Sequence, residues 1–178
     1  MTANGVPKRL TWAVELLDPA PGDRVLEIGC GRGVAVSLLL GRLTTGTVTA
    51  VDRSATAVEA ARRRHHAAVA DGRAVFHVRS LADADFTAGS FDRVLAVNVN
   101  LFWTGAADAE LTALRRWLTP GGLLCLCWEP PDGGRAGDIA GTVGRAVEEH
   151  GFETTVVRDG VLVAVLGALP GQGRAGQP

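Results

Sequence analysis

An apolar stretch, Val25-Leu26-Glu27-Ile28, runs straight into Gly29-Cys30-Gly31-Arg32-Gly33. The next apolar, β-branched stretch, Thr47 to Val51, ends on an acid, Asp52. This combination constrains the fold more than any other feature. Glycines are required where the backbone turns sharply or must lie against a ligand with no Cβ in the way. A helix expected over 34–43 aims its free N–H groups at the same place. Strand, glycine turn, helix and strand open an α/β sheet of the kind that binds ligands beyond the C-terminal ends of its strands.

The rest of the chain continues the alternation. Helices are expected over 10–17, 34–43, from an N-cap at Ser54 to about Ala70, over 106–118 and over 137–150. Strands are expected over 25–28, 47–51, 74–78, 91–97 and 123–128. Two more, 152–157 and 161–166, flank the hairpin signal Arg158-Asp159-Gly160. Continuous apolar strands joined by helices imply a parallel sheet covered on both faces. We therefore expect a single-domain, Rossmann-like three-layer α/β/α sandwich, its seven-stranded and mostly parallel sheet closed by a C-terminal antiparallel hairpin. Residues 1–22 form an N-terminal helical segment in this reading and 23–167 the main domain. The Gly- and Pro-rich 168–178 form a disordered tail.

Composition narrows the partners. Eighteen Lys and Arg against nineteen Asp and Glu leave a net charge of -1. That balance removes the global electrostatic argument for nucleic acid or an anionic membrane. No apolar run is long enough for a membrane span, and the first residues lack the apolar core of a secretory signal. Three cysteines cannot form a full disulfide framework. Cys125 and Cys127 alternate within an apolar run and read as buried thiols on one strand face; with Cys30 they lack the paired spacing of a metal site. The expected compartment is the reducing cytoplasm.

The glycines fail the dinucleotide spacing by one residue, because Val34 stands where Gly-x-Gly-x-x-Gly needs its last glycine. A phosphate loop needs Gly-Lys-Ser/Thr, and the only lysine is Lys8. Asp52, at the end of a second strand, is placed to accept hydrogen bonds from ribose hydroxyls. The expected ligand is adenosine-like and lacks a phosphate fingerprint.

Val25 to Gly33 followed by Asp52, then Gly89-Ser90-Phe91-Asp92-Arg93-Val94 and Leu118-Thr119-Pro120-Gly121-Gly122, resembles the class I S-adenosylmethionine-dependent methyltransferase family. The likeness covers residues 23 to about 130. It implies that 23–167 is a methyltransferase domain and that the cofactor is S-adenosyl-L-methionine. Glu27 would hold the cofactor's ammonium, directly or through water. Gly29, Cys30, Gly31 and Gly33 would wrap the methionine part and the ribose, Asp52 would take the ribose diol, and Arg53 would lie along the adenine. Ser80 and Leu81 would meet the adenine edge and face, and Asn98 would offer backbone near the methionine end. Ser80 departs from the family, which usually has Asp there; a hydroxyl accepts without charge assistance.

The acceptor side is expected in the loop Asn98-Val99-Asn100-Leu101-Phe102-Trp103 and at Trp128-Glu129. Asn98, Trp103 and Glu129 are the candidate catalytic residues: Trp103 to bracket a planar acceptor or face the sulfonium, Glu129 as base. Packing is the competing account of Phe102 and Trp103, and a solvated loop acid that of Glu129. Arg9 and Trp12, within 7–17, are the candidate cover; a partner subunit in a homodimer is the other. His65 and His66, with the arginines before them, are expected to complement a helix C-terminus. The expected function is methyl transfer to a small molecule by in-line displacement. The alternative is a cofactor-binding protein that transfers no methyl group, motivated by Ser80 and by the lack of a clear base.

Overall fold

A computed structural model describes residues 5–105, 107–131 and 134–171. The elements follow in the order α1 (Lys8–Leu17), β1 (Arg24–Ile28), α2 (Val34–Arg42), β2 (Thr47–Asp52), α3 (Ala55–Arg64), α4 (His66–Ala70) and β3 (Ala74–Val78). Then come β4 (Phe91–Val97), α5 (Leu101–Thr104), α6 (Asp108–Trp117), β5 (Leu118–Trp128), α7 (Ala136–Glu149), β6 (Glu153–Asp159) and β7 (Leu162–Ala168). The seven strands form one sheet in the order β3-β2-β1-β4-β5-β7-β6. All neighbours are parallel except β7, which runs antiparallel to both β5 and β6. The expected sandwich and hairpin are therefore present.

Two apolar layers cover the sheet, and strand alternation decides which residue joins which. Val94, Ala96, Leu124, Leu126, Val163 and Val165 face α6 and α7, where Leu111, Leu114, Trp117, Ile139 and Val143 complete the layer. Val25, Leu95, Cys125, Cys127 and Ala164 face the other way, against Ala13, Val14 and Leu17 of α1 and Val36 and Leu39 of α2. Helix α1 is thus part of the core rather than a cover over the site. The small side chains of Cys125 and Ala13 allow close approach, and the Cys125 thiol donates to the Ala13 carbonyl at 3.8 Å. All three cysteines are free and buried, as expected of Cys125 and Cys127.

Several boundaries differ from expectation for physical reasons. Strand β5 begins at Leu118, before Pro120-Gly121-Gly122, because Leu118 already pairs with Phe91; a register shift absorbs the turn before Arg93 pairs with Leu123. Strand β7 extends through Gly167 and Ala168, and the N–H of the following Leu169 donates to the Gly122 carbonyl at 2.9 Å. Of the expected disordered tail, 172–178 lie outside the described residues. The long helix expected from Ser54 to about Ala70 is split at His65 into α3 and α4. Ser54 caps it as expected, its hydroxyl accepting the Ala57 N–H at 3.2 Å. The four-residue α5 was not expected at all.

Among the described residues, no helix is long and apolar enough to cross a membrane, and no group of His, Cys, Asp or Glu could hold a metal ion.

Candidate cofactor and acceptor site

The glycine loop is held from below by the end of β2. Gly29 and Cys30 both donate their N–H groups to the Val51 carbonyl, at 2.8 and 3.2 Å, and Gly33 closes a turn onto the Cys30 carbonyl at 2.9 Å. The Asp52 carboxylate grips the loop's centre: one oxygen accepts the Gly31 N–H at 2.8 Å and the other accepts the Ser54 N–H at 2.8 Å. Each oxygen keeps a further lone-pair direction for a ligand hydroxyl.

Above this loop lies a cavity of about 600 Å³. Its wall brings together six of the expected residues: Gly29, Asp52, Arg53, Ser80, Leu81 and Asn98. Gly31 is not on the wall; it has φ +52, and a Cβ built there would meet nothing within 4 Å, so this glycine faces open space. Gly33 serves a different purpose. A Cβ on it would come within 3.1 Å of Ala61 and 3.0 Å of His65, so its missing side chain admits α3 rather than a ligand. Cys30 likewise turns its side chain into the core, and burial, followed by the charges of Glu27 and Asp52, pushes its thiol up to about 12.

Glu27 is buried on the same sheet face as Val25, beneath the loop. Its Oε2 has no hydrogen-bond partner. Burial, with the Asp52 charge as the second cause, pushes this carboxyl up to about 8. A buried acid without a partner costs stability unless something cationic or hydrogen-bonding reaches it.

The acceptor-side residues are engaged more than the sequence suggests. Asn98 sits at φ +57, and its side-chain oxygen accepts the Glu129 N–H at 2.9 Å, tying the loop after β4 to the end of β5. Glu129 is absent from the cavity wall; its carboxylate is paired with Arg9 of α1 at 2.7 Å. Trp103 also stands off the wall. Its indole N–H donates to Asn100 Oδ1 at 3.2 Å, and the Arg135 guanidinium lies 5.7 Å from its ring centre. Phe102 is buried in the core, as the packing account expects.

Sequence reasoning passes over three polar residues of the wall: Arg79, Thr104 and Glu110. Among the described residues, Glu110 is the one carboxylate on the wall besides Asp52. It sits in the first turn of α6, where an acid is already explained by the helix dipole. Ser80 is also less free than expected: its hydroxyl donates to Asp83 Oδ2 at 2.6 Å and accepts the Asp83 N–H at 3.2 Å.

This cradle fits an adenosine-bearing cation. The glycine turn leaves room, Asp52 offers unused acceptor capacity, and an unpartnered acid lies below. Comparison with known proteins agrees. Residues 25–122 match the methyltransferase domain family, and the chain belongs to it; the resemblance to class I S-adenosylmethionine-dependent methyltransferases holds. The chain is 31% identical over 127 residues to a trans-aconitate 2-methyltransferase of Paracidovorax citrulli, covering 67% of this chain and 45% of that protein. It is 34% identical over 170 residues to the nocamycin O-methyltransferase of Saccharothrix syringae, covering 88% of this chain and 56% of that protein. The chain thus spans about half the length of these curated relatives. A SAM-dependent methyltransferase from Aquifex aeolicus shares the fold, with a TM-score of 0.75 at 18% identity over 90% of this chain and 89% of that one.

Proposed function

We propose that this chain binds S-adenosyl-L-methionine and transfers its methyl group to a small-molecule acceptor. The observation that carries this reading is the convergence of Gly29, Asp52, Arg53, Ser80, Leu81 and Asn98 on one cavity, with the buried Glu27 carboxyl, whose Oε2 has no partner, near enough to Asp52 to feel its charge. Relatives named for small-molecule methyl transfer support the acceptor class.

When bound, the sulfonium supplies the methyl group by in-line displacement, so the protein's contribution is placement and electrostatics. In this reading Asp52 accepts from the ribose diol while keeping its hold on Gly31. Glu27 loses its proton and faces the ammonium. Arg53 and Leu81 flank the adenine, and Asn98 presents its backbone near the methionine end. The Arg9 pairing makes Glu129 a poor candidate for general base. Where an acceptor needs its proton removed, Glu110 is the carboxylate placed on the wall to receive it.

Incubation with methyl-labelled S-adenosyl-L-methionine and a cell-extract metabolite fraction tests this. The expected result is a labelled small product one methyl group heavier than an extract component. Label found only in macromolecules would contradict the small-acceptor reading, and cofactor binding with no labelled product in any fraction would favour a binding protein without transfer.

A further inference from the structure

His65 lies at the joint between α3 and α4, buried at 9% exposure. The helix bends there, at φ -109, yet its ladder continues: the His65 N–H donates to the Ala61 carbonyl and the His65 carbonyl accepts from Val69. The ring stacks on Phe76 of β3, with centres 5.9 Å apart and planes at 18°. Its Nε2 stands 2.8 Å from the Gly33 carbonyl oxygen. The same nitrogen also stands 3.4 Å from the Ser37 hydroxyl; the much shorter contact is to a carbonyl, which only accepts, and it makes Nε2 the donor.

The partner of this bond gives it meaning. Gly33 is the last glycine of the loop and the N-cap of α2, in the left-handed region at φ +76. Its carbonyl also receives the Ser37 N–H at 3.2 Å and the Ser37 hydroxyl at 3.3 Å, both from within α2. Among the described residues, His65 supplies the one donor from another element. Val51 and Asp52 hold the loop's first half and His65 holds its far end, so a single β2–α3 unit holds the loop at both ends.

We propose that His65 is a positioning residue for the cofactor: by donating Nε2–H to the Gly33 carbonyl it holds Gly29 to Gly33 in the shape that receives S-adenosyl-L-methionine. The inference rests on the proposed cofactor reading. Its sequence signal is the spacing of Val58, Ala61 and His65, which places the histidine on the buried stripe of α3 instead of at an exposed helix end.

The test compares His65→Leu, which removes the donor at similar bulk, with His65→Gln, whose side-chain amide restores an N–H at similar reach. Calorimetry with S-adenosylhomocysteine should show about tenfold weaker binding for His65→Leu and affinity near the parent's for His65→Gln. Both variants are compared after thermal melting has established that they are folded. Parent-like affinity in folded His65→Leu, or equal loss in both variants, would overturn the proposal. If His65→Leu does not fold, two-bond proton–nitrogen correlations on the parent decide: a ring carrying a proton at Nε2 whose signals shift with ligand is expected, and a ring protonated at Nδ1 alone or silent to the ligand would overturn it. A parent that binds no S-adenosylhomocysteine fails the cofactor reading instead, while the ligand-free tautomer measurement still tests the contact itself.

Discussion

The Gly31 N–H donates to Asp52 Oδ2 at 2.8 Å, so the carboxylate assigned to the ribose also fastens the glycine loop. Replacing Asp52 therefore removes two things at once. Asp52→Ala should weaken S-adenosylhomocysteine binding by about 1.5–3 kcal/mol, the scale of charged hydrogen bonds. Asp52→Asn should lose less, because its amide oxygen can still accept from Gly31. The Gly31 amide resonance reports the first effect and calorimetry their sum. Parent-like binding in folded Asp52→Ala would remove the ribose assignment.

The two inner glycines should respond differently to alanine. Gly31→Ala meets no atom within 4 Å and carries only the strain of its left-handed φ of +52, about 1–2 kcal/mol; in the proposed reading its methyl group enters the ligand's space, so binding should fall with the smaller drop in Tm. Gly33→Ala meets Ala61 and His65 at 3.0–3.1 Å and keeps an unfavourable φ of +76. It should lose the left-handed strain cost of about 1–2 kcal/mol plus a packing penalty, seen as the larger drop in Tm. The reverse order would contradict the division between ligand-facing and helix-facing glycines.

Glu27 makes stability depend on pH. Its folded value, about 8, lies above the ordinary 4.5, so the folded chain binds the extra proton between these values. The associated stability is fully present below the ordinary value and is lost as pH rises through about 8, by up to about 1.4 kcal/mol per unit. Denaturant titrations from pH 5 to 9 should show this decline, and Glu27→Gln should flatten it. Cofactor binding near pH 7 should release a proton, measured as a buffer-dependent enthalpy that Glu27→Gln abolishes.

Ser80 and Asp83 form a short hydrogen-bonded pair, which changes what a family-like acid at position 80 would do. Ser80→Asp alone would set two carboxylates against each other and should not tighten binding. The double variant Ser80→Asp, Asp83→Asn should bind the adenosine cofactor more tightly than Ser80→Asp does. It should also discriminate more strongly against an inosine analogue, which lacks the exocyclic amine. Equal affinities for both ligands in the parent and both variants would place Ser80 away from the adenine edge.

The succession of strands and helices, the closing hairpin and the end of the sheet where the cavity opens were legible because they follow from local signals. Apolar strands alternating with helices dictate a covered parallel sheet, and the Gly29 loop and Asp52 mark where it opens. What escaped depends on partners far along the chain. Glu129 reads as a free acid after a strand until Arg9, from the opposite end of the sequence, neutralises it. His65 reads as a helix-end cation until the bend between α3 and α4 turns it onto Gly33. The short α5 spans one turn, too little for helical periodicity to register, and Pro120 concealed the early start of β5 because the bulge there absorbs it.

In the proposed reading the cavity receives an adenosine-bearing sulfonium rather than a dinucleotide or a triphosphate. Calorimetry of the parent protein against S-adenosyl-L-methionine, S-adenosylhomocysteine, NAD and ATP tests it most directly. Micromolar-class binding of the first two and no binding heat from the others are expected. Comparable heat from NAD, or none from either sulfur-containing ligand, would contradict it.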